Sequence, residues 1–293
     1  MTPADYDFLR QYLKDNSGLV LSNDKQYLID SRLMPVARDA GLTSISELVA
    51  KLKTPLGRSV GEKVVEAMTT NESFFFRDKT PFENFKEVML PNMMEARRTQ
   101  RSIRIWCAAA STGQEPYSIA MILKDMGLKA SAFRFDIIGT DISREVLDRA
   151  KAGTYSQFEV QRGLPIQMLL EYFKQEGDTW IISQAIRQMV QLRQLNLFDA
   201  FTSLGKFDIV FIRNVLIYFE QSAKVDILER VAKQMAPDGY MVLGAAETVV
   251  GLTDAFVAVQ GHRGLYQPKS AQSSAVSMSG SGLSGLAAIR KSA

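Results

Sequence analysis

Apolar residues follow two different rhythms along this chain. Over roughly the first 70 residues they recur at helical spacing. Ser22, Asn23 and Asp24 offer a cap for a helix carrying Tyr27, Leu28, Leu33 and Val36, which Pro35 is expected to end or kink. Ile45, Leu48, Val49 and Leu52 form the next apolar stripe, and Thr54 to Gly57 read as a turn. A further helix through Val60, Val64, Val65 and Met68 runs into Thr69, Thr70 and Asn71.

From about Ser102 the pattern changes to strands alternating with helices. Strands are expected at 103–109, 133–142, 207–212 and 240–245, and helices at 116–126, 143–152 and 222–235. Such alternation predicts an α/β fold with a parallel sheet covered by helices on both faces. A closing strand pair is expected at 256–260 and 264–267. Residues 154–193 break the rhythm with a helix at 165–172, a turn at 175–178 and β-like segments at 180–182 and 190–192. They read as a small inserted β-subdomain. The expected division is a helical domain with linker at 1–85, a sheet domain at 86–267 and a tail at 268–293. That tail holds 8 Ser, 5 Ala and 3 Gly among 26 residues, too little apolar surface to fold alone, so disorder is expected there.

Composition narrows the chemistry. Lys and Arg total 35 against 32 Asp and Glu, and Lys269, Arg290 and Lys291 carry the whole surplus, so the body is neutral. A neutral body is not the electrostatic footprint of a nucleic-acid-binding protein. One cysteine, Cys107, excludes a disulfide framework within the chain and a cysteine-rich metal site. One histidine, His262, cannot by itself make a histidine-ligated zinc site, so no metal is expected. It could serve a Ser-His-Asp triad only as that triad's sole histidine. Cys107 is expected to pack in the first strand and His262 in the final strand turn. Charges break every long apolar stretch, and the N-terminus has no signal-peptide core, so a cytoplasmic protein without membrane insertion is expected.

The ends of the expected strands carry the candidate chemistry. A loop of small residues, Ala108 to Gly113, joins the first strand to a helix, where small side chains let a ligand approach the backbone. Its single glycine falls short of the dinucleotide fingerprint. Glu115 at the helix start would repel a pyrophosphate, so a phosphate-free nucleoside is expected, with an ordinary tight turn as the alternative. Asp141 ends the next strand, placed to accept ribose hydroxyls or else to cap the following helix. Asn196 and Asn214 end later strands; their side chains and adjoining backbone could read an adenine edge or simply make turns. In the segment TTNESFFFRD the three phenylalanines suit an interdomain plug, whereas Arg77 needs an anionic or aromatic partner.

TTNESFFFRD, WCAAASTGQEPYSIA, GTDIS, LNLF and RNVLIYF, in this order and spacing, closely resemble the chemotaxis receptor-glutamate O-methyltransferases, the CheR family. The resemblance spans about residues 3 to 267. It implies a Rossmann-like S-adenosylmethionine-dependent methyltransferase sheet domain with a small N-terminal all-α domain and an inserted β-subdomain. By position, it assigns cofactor contacts to Asn71, Ser73, Arg77, Glu115, Asp141, Asn196, Leu197, Asn214 and Val215. Arg77 and Tyr218 fall near the transferred methyl group and the incoming carboxylate. The implied reaction methylates glutamates on the cytoplasmic helical bundle of methyl-accepting chemotaxis receptors, carried out by a monomer held at receptor arrays through protein contacts. Arg32 and Arg38 remain of the family's basic docking helix, although Lys25 and Arg32 share a face from which Arg38 points away. A solvated helix face is the alternative. The short turn in KQEGDTW suggests independence from a receptor C-terminal peptide tether. Two rivals keep the crevice: a small-molecule methyltransferase using the same cofactor, and a non-catalytic module that senses it.

Overall fold

The computed structural model describes residues 1–127 and 132–269. Four helices open the chain: α1 (Pro3–Ser17), α2 (Gln26–Asp39), α3 (Ile45–Leu52) and α4 (Arg58–Met68). A reciprocal cap starts α1: Thr2 accepts from the Asp5 backbone N–H while the Asp5 carboxylate accepts from that of Thr2. Leu9, Leu13, Ile29, Leu33, Leu48 and Val64 close a core of their own. Pro35 does not end α2, which continues to Asp39. Leu33 and Ala37 on either side of it are buried in that core, while Pro35 and Ser31 are exposed. The Ser31 carbonyl that loses its donor therefore lies on the solvent side, and packing outweighs one missing hydrogen bond.

The linker belongs to the second domain. Phe75, Phe76, Phe82 and Phe85 pack into the large core under the sheet, so that domain begins ahead of the boundary expected at 85. Two short helices, α5 (Thr80–Asn84) and α6 (Leu90–Ala96), precede β1 (Ser102–Ala108). Then follow α7 (Gln114–Asp125), β2 (Arg134–Asp141) and α8 (Arg144–Ala152), the last capped by the Ser143 side chain.

The insertion holds β3 (Thr154–Ser156), α9 (Gln157–Gln161), α10 (Ile166–Tyr172), β4 (Phe173–Glu176) and β5 (Thr179–Ile182), with the strands in the antiparallel order β3-β5-β4. After α11 (Gln184–Arg187) comes β6 (Val190–Gln194), which pairs in parallel with β2, Val190 opposite Ile137. This corrects the placement of 190–192 in the insertion. Five residues of alternating character suit the edge of either sheet, and the parallel crossover from β2 decides the matter.

β7 (Phe207–Ile212), α12 (Gln221–Lys233), β8 (Met235–Leu243), β9 (Phe256–Ala258) and β10 (Leu265–Pro268) complete a seven-stranded sheet in the order β6-β2-β1-β7-β8-β10-β9. Its first five strands run parallel, and β10 and β9 close it antiparallel. The chain leaves β1 towards β2 on one side and returns through β7 on the other. The C-terminal ends of β1, β2 and β7 therefore border a topological switch point, where open α/β sheets bind ligands. Cys107 is buried in β1 and its thiol is pushed well up by burial; His262, in the turn before β10, pairs with Asn84 Oδ1 at 2.9 Å. The expected tail lies outside the described residues from 270 onward.

Candidate active site

β1 ends at Ala108, and the chain then turns through left-handed Ala109 (φ 59) and Ser111 (φ 51) to left-handed Gly113 at the start of α7. These small residues leave the backbone open towards the switch point. Ser111 N donates to Asp141 Oδ2 at 2.8 Å, and the other Asp141 oxygen accepts from Ser143 N at 2.9 Å. Asp141 is only 6% exposed, and burial pushes its carboxyl above the ordinary value against the opposing effect of these backbone donors. Asp141 organises the turn into α8, whose cap is the Ser143 side chain and not Asp141 itself, and it stands on the crevice wall with acceptor capacity to spare.

Glu115, in the first turn of α7, meets a residue that the sequence did not reveal. Arg213 follows β7 with its side chain only 2% exposed; Nη1 pairs with Glu115 Oε2 at 2.7 Å, and Nη2 with Asp78 Oδ2 at 2.8 Å. The same Nη2 donates to the Arg77 carbonyl at 2.8 Å. Burial raises the Glu115 carboxyl, and the Arg213 cation works against that rise. A charged residue directly after the apolar run IVFI that ends β7 is the signal that could have exposed Arg213.

The linker forms the opposite wall. Asn71 accepts from Ser111 Oγ through its carbonyl at 2.8 Å, and Arg77 Nη1 donates to the Glu72 carbonyl at 2.8 Å. Arg77 stands 5.5 Å from the centre of the Phe74 ring, and Arg162 of the insertion stands 4.3 Å from it while pairing with Glu72 Oε1 at 2.7 Å. Arg77 thus has its aromatic partner. Phe75 and Phe76 lie within the sheet domain's own core and not between domains, which corrects the expected interdomain plug, and Phe74 faces the crevice.

The third wall comes from the loops after β6 and β7 and from the helical domain. Asn196 turns its side-chain N–H to the Asn16 carbonyl at 2.7 Å, so that amide holds α1 against the sheet domain. Leu19 reaches the crevice, and Val20 N donates to the Tyr218 carbonyl at 3.2 Å. Asn214 is left-handed at φ 57 and leads into Val215 and Tyr218. Every residue expected to contact the cofactor, together with Tyr218, borders this one crevice, whose mouth is open to solvent. Arg32 and Arg38 are elsewhere. Arg32 is half-buried and donates through Nη1 to the Met68 and Thr69 carbonyls at 3.0 and 2.9 Å; Arg38 is exposed.

The charged lining is Glu72, Glu115 and Asp141 against Arg77 and Arg213, with apolar walls from Leu19, Phe74, Leu197, Val215 and Phe219. Such a lining fits a nucleoside bearing a cationic chain, and offers no cradle for phosphates. Residues 71–265 match the family model described as CheR methyltransferase, SAM binding domain, and residues 4–69 match the model for its all-alpha domain. Fold, crevice and match together define an S-adenosylmethionine-dependent methyltransferase. A chemotaxis protein methyltransferase of Pseudomonas aeruginosa is 44% identical over 264 residues, 88% of this chain and 94% of that protein. Another, from Pseudomonas putida, is 41% identical, covering 90% of this chain and 98% of the relative. A solved glycopeptide N-methyltransferase, MtfA, complexed with sinefungin, aligns with 71% of this chain and 67% of its own at 14% identity and a TM-score of 0.35. The chain belongs to the CheR methyltransferase family.

Proposed function

We propose that this protein methylates glutamate side chains on the cytoplasmic helices of methyl-accepting chemotaxis receptors, giving glutamate methyl esters. The observation that carries the reading is that Arg77 and Tyr218 border the same crevice as Asp141 and Glu115. Bound S-adenosylmethionine supplies a methyl group activated on a sulfonium. A glutamate carboxylate, with a pKa of about 4.3, is already ionised at neutral pH, so the chain need supply no general base. His262, held by Asn84, does not line the crevice.

Asp141 and the open backbone at Ala109 and Ser111 hold the nucleoside, while Leu197 and Val215 pack against it. Arg77 orients the acceptor carboxylate by charge, and Tyr218 fixes one of its oxygens by hydrogen bond. Phe74, Leu19 and Phe219 keep water from the reacting pair. Alignment in a water-poor crevice is the main contribution asked of the protein.

Arg38 remains available on α2 to meet acidic receptor residues. The β4–β5 hairpin closes over Gly177 and Asp178 alone, a short turn that supports action without a C-terminal receptor tether. Incubation with methyl-labelled cofactor and receptor cytoplasmic fragments tests the proposal. Base-labile label on receptor glutamates, undiminished when the receptor C-terminus is removed, is the expected outcome. Label found only on small molecules, or on no acceptor, refutes it.

A further inference from the structure

One carboxylate behind the crevice holds four backbone N–H groups. Glu247, in the segment after β8, accepts from Asn214 N at 2.7 Å and Gly244 N at 2.8 Å through Oε2. Its Oε1 accepts from Val215 N at 3.0 Å and Ile217 N at 3.3 Å. Three of these donors lie in the loop between β7 and Tyr218, and the fourth follows the last residue of neighbouring β8. Glu247 itself does not border the crevice.

We infer that Glu247 is a positioning residue: its carboxylate sets the conformation of the 214–218 loop and through it the affinity of the crevice for the cofactor. The loop has no regular hydrogen-bonding partner strand at this point, and left-handed Asn214 starts it in a conformation that non-glycine residues seldom adopt. Four N–H groups converging on one concavity form an anion-binding nest, and here the chain supplies the anion itself. Neutral side chains cannot replace it. Glutamine would turn an amide N–H₂ towards two backbone donors whichever way it is flipped. The inference rests on the reading that Asn214 and Val215 contact the cofactor.

The test measures S-adenosylhomocysteine binding by calorimetry, which needs no acceptor and therefore does not depend on the receptor-glutamate proposal. Glu247→Ala is expected to weaken binding about tenfold or more, as small misplacements of a site do. Added acetate should refill the nest and recover most of that loss, while leaving the wild-type affinity unchanged. Asp141→Ala reports on the crevice reading separately: it should weaken binding in a way that acetate does not restore. Wild-type affinity in Glu247→Ala, or a loss in the folded variant that acetate leaves untouched, overturns the inference. If Glu247→Ala does not fold, Glu247→Gln replaces it; that variant should lose affinity comparably, and wild-type affinity there is equally fatal.

Discussion

Replacing Arg213 with methionine keeps most of the side-chain volume and removes the cation between Glu115 and Asp78. The Arg213 side chain is 2% exposed and that of Glu115 13%, so water does little to replace the lost partner. Asp78, at 36%, stays hydrated and contributes little. Removing one member of a buried pair costs about 3–5 kcal/mol. Glu115 has an escape, because its carboxyl is already raised by burial and takes up a proton once Arg213 is gone. Neutralising a carboxyl of ordinary pKa costs about 3.7 kcal/mol at pH 7 and about 1 kcal/mol at pH 5, which caps the penalty. The sign follows: a raised carboxyl binds more protons folded than unfolded, so the variant regains stability as pH falls.

Arg213→Met should therefore lose about 3–4 kcal/mol at pH 7, shrinking towards about 1 kcal/mol at pH 5. Urea unfolding of the cofactor-free protein, followed through tryptophan fluorescence with Trp106 buried inside the sheet, measures both values. Adding Glu115→Gln should recover most of the loss, since no buried charge then remains unpaired. A loss under about 1 kcal/mol at pH 7, or one that does not change with pH, would show that Arg213 is not neutralising a buried charge.

Arg77→Ala and Tyr218→Phe should each slow receptor methylation by about tenfold or more while shifting S-adenosylhomocysteine affinity much less; equal falls in both readouts would remove their roles at the acceptor. Cofactor affinity, read by calorimetry across the acidic range, should decline at a pH above the ordinary aspartate value of about 3.9, because burial raises the Asp141 carboxyl, whose ionised form is the proposed acceptor of the ribose hydroxyls. Affinity that holds steady down to that value contradicts this. Gly163 sits at φ 85 with no room for a β-carbon against the Phe75 carbonyl, so Gly163→Ala should destabilise the sheet domain by about 1–3 kcal/mol, and an unchanged melting temperature would refute the packing described.

The strands and helices of the sheet domain were legible because their apolar runs are long and their turns are marked by Gly, Ser and Asn. β6 was assigned to the wrong sheet because five alternating residues carry no information about their neighbour. Residue type and strand-end position exposed Asp141, Asn214 and Glu115 as candidates, while Asn71, Ser73 and Tyr218 were reached only through the family resemblance. Arg213 and Glu247 stayed hidden for a different reason. Arg213 meets a glutamate 98 positions away and Glu247 serves three amides 30, 32 and 33 positions away, relations that periodicity does not encode. The contact of Arg32 with carbonyls at the end of α4, 36 and 37 positions away, is likewise absent from the pattern of its own helix.

The acids around the crevice divide their work by how each is neutralised. Glu115 is answered by a buried arginine, Asp141 by two backbone donors, and Glu247 by four. Only Asp141 both lines the crevice and lacks a cationic partner, so its charge is the one most available to a ligand. The lining as a whole carries three acids and two bases, an excess that favours a cationic sulfonium and disfavours a pyrophosphate. The same excess repels an incoming carboxylate everywhere except beside Arg77, since Arg213 is already committed to Glu115 and Asp78. An anionic acceptor therefore has one favourable approach, over Phe74 and Arg77. Under the proposed function, Arg77 is the residue on which selection of an acidic substrate turns.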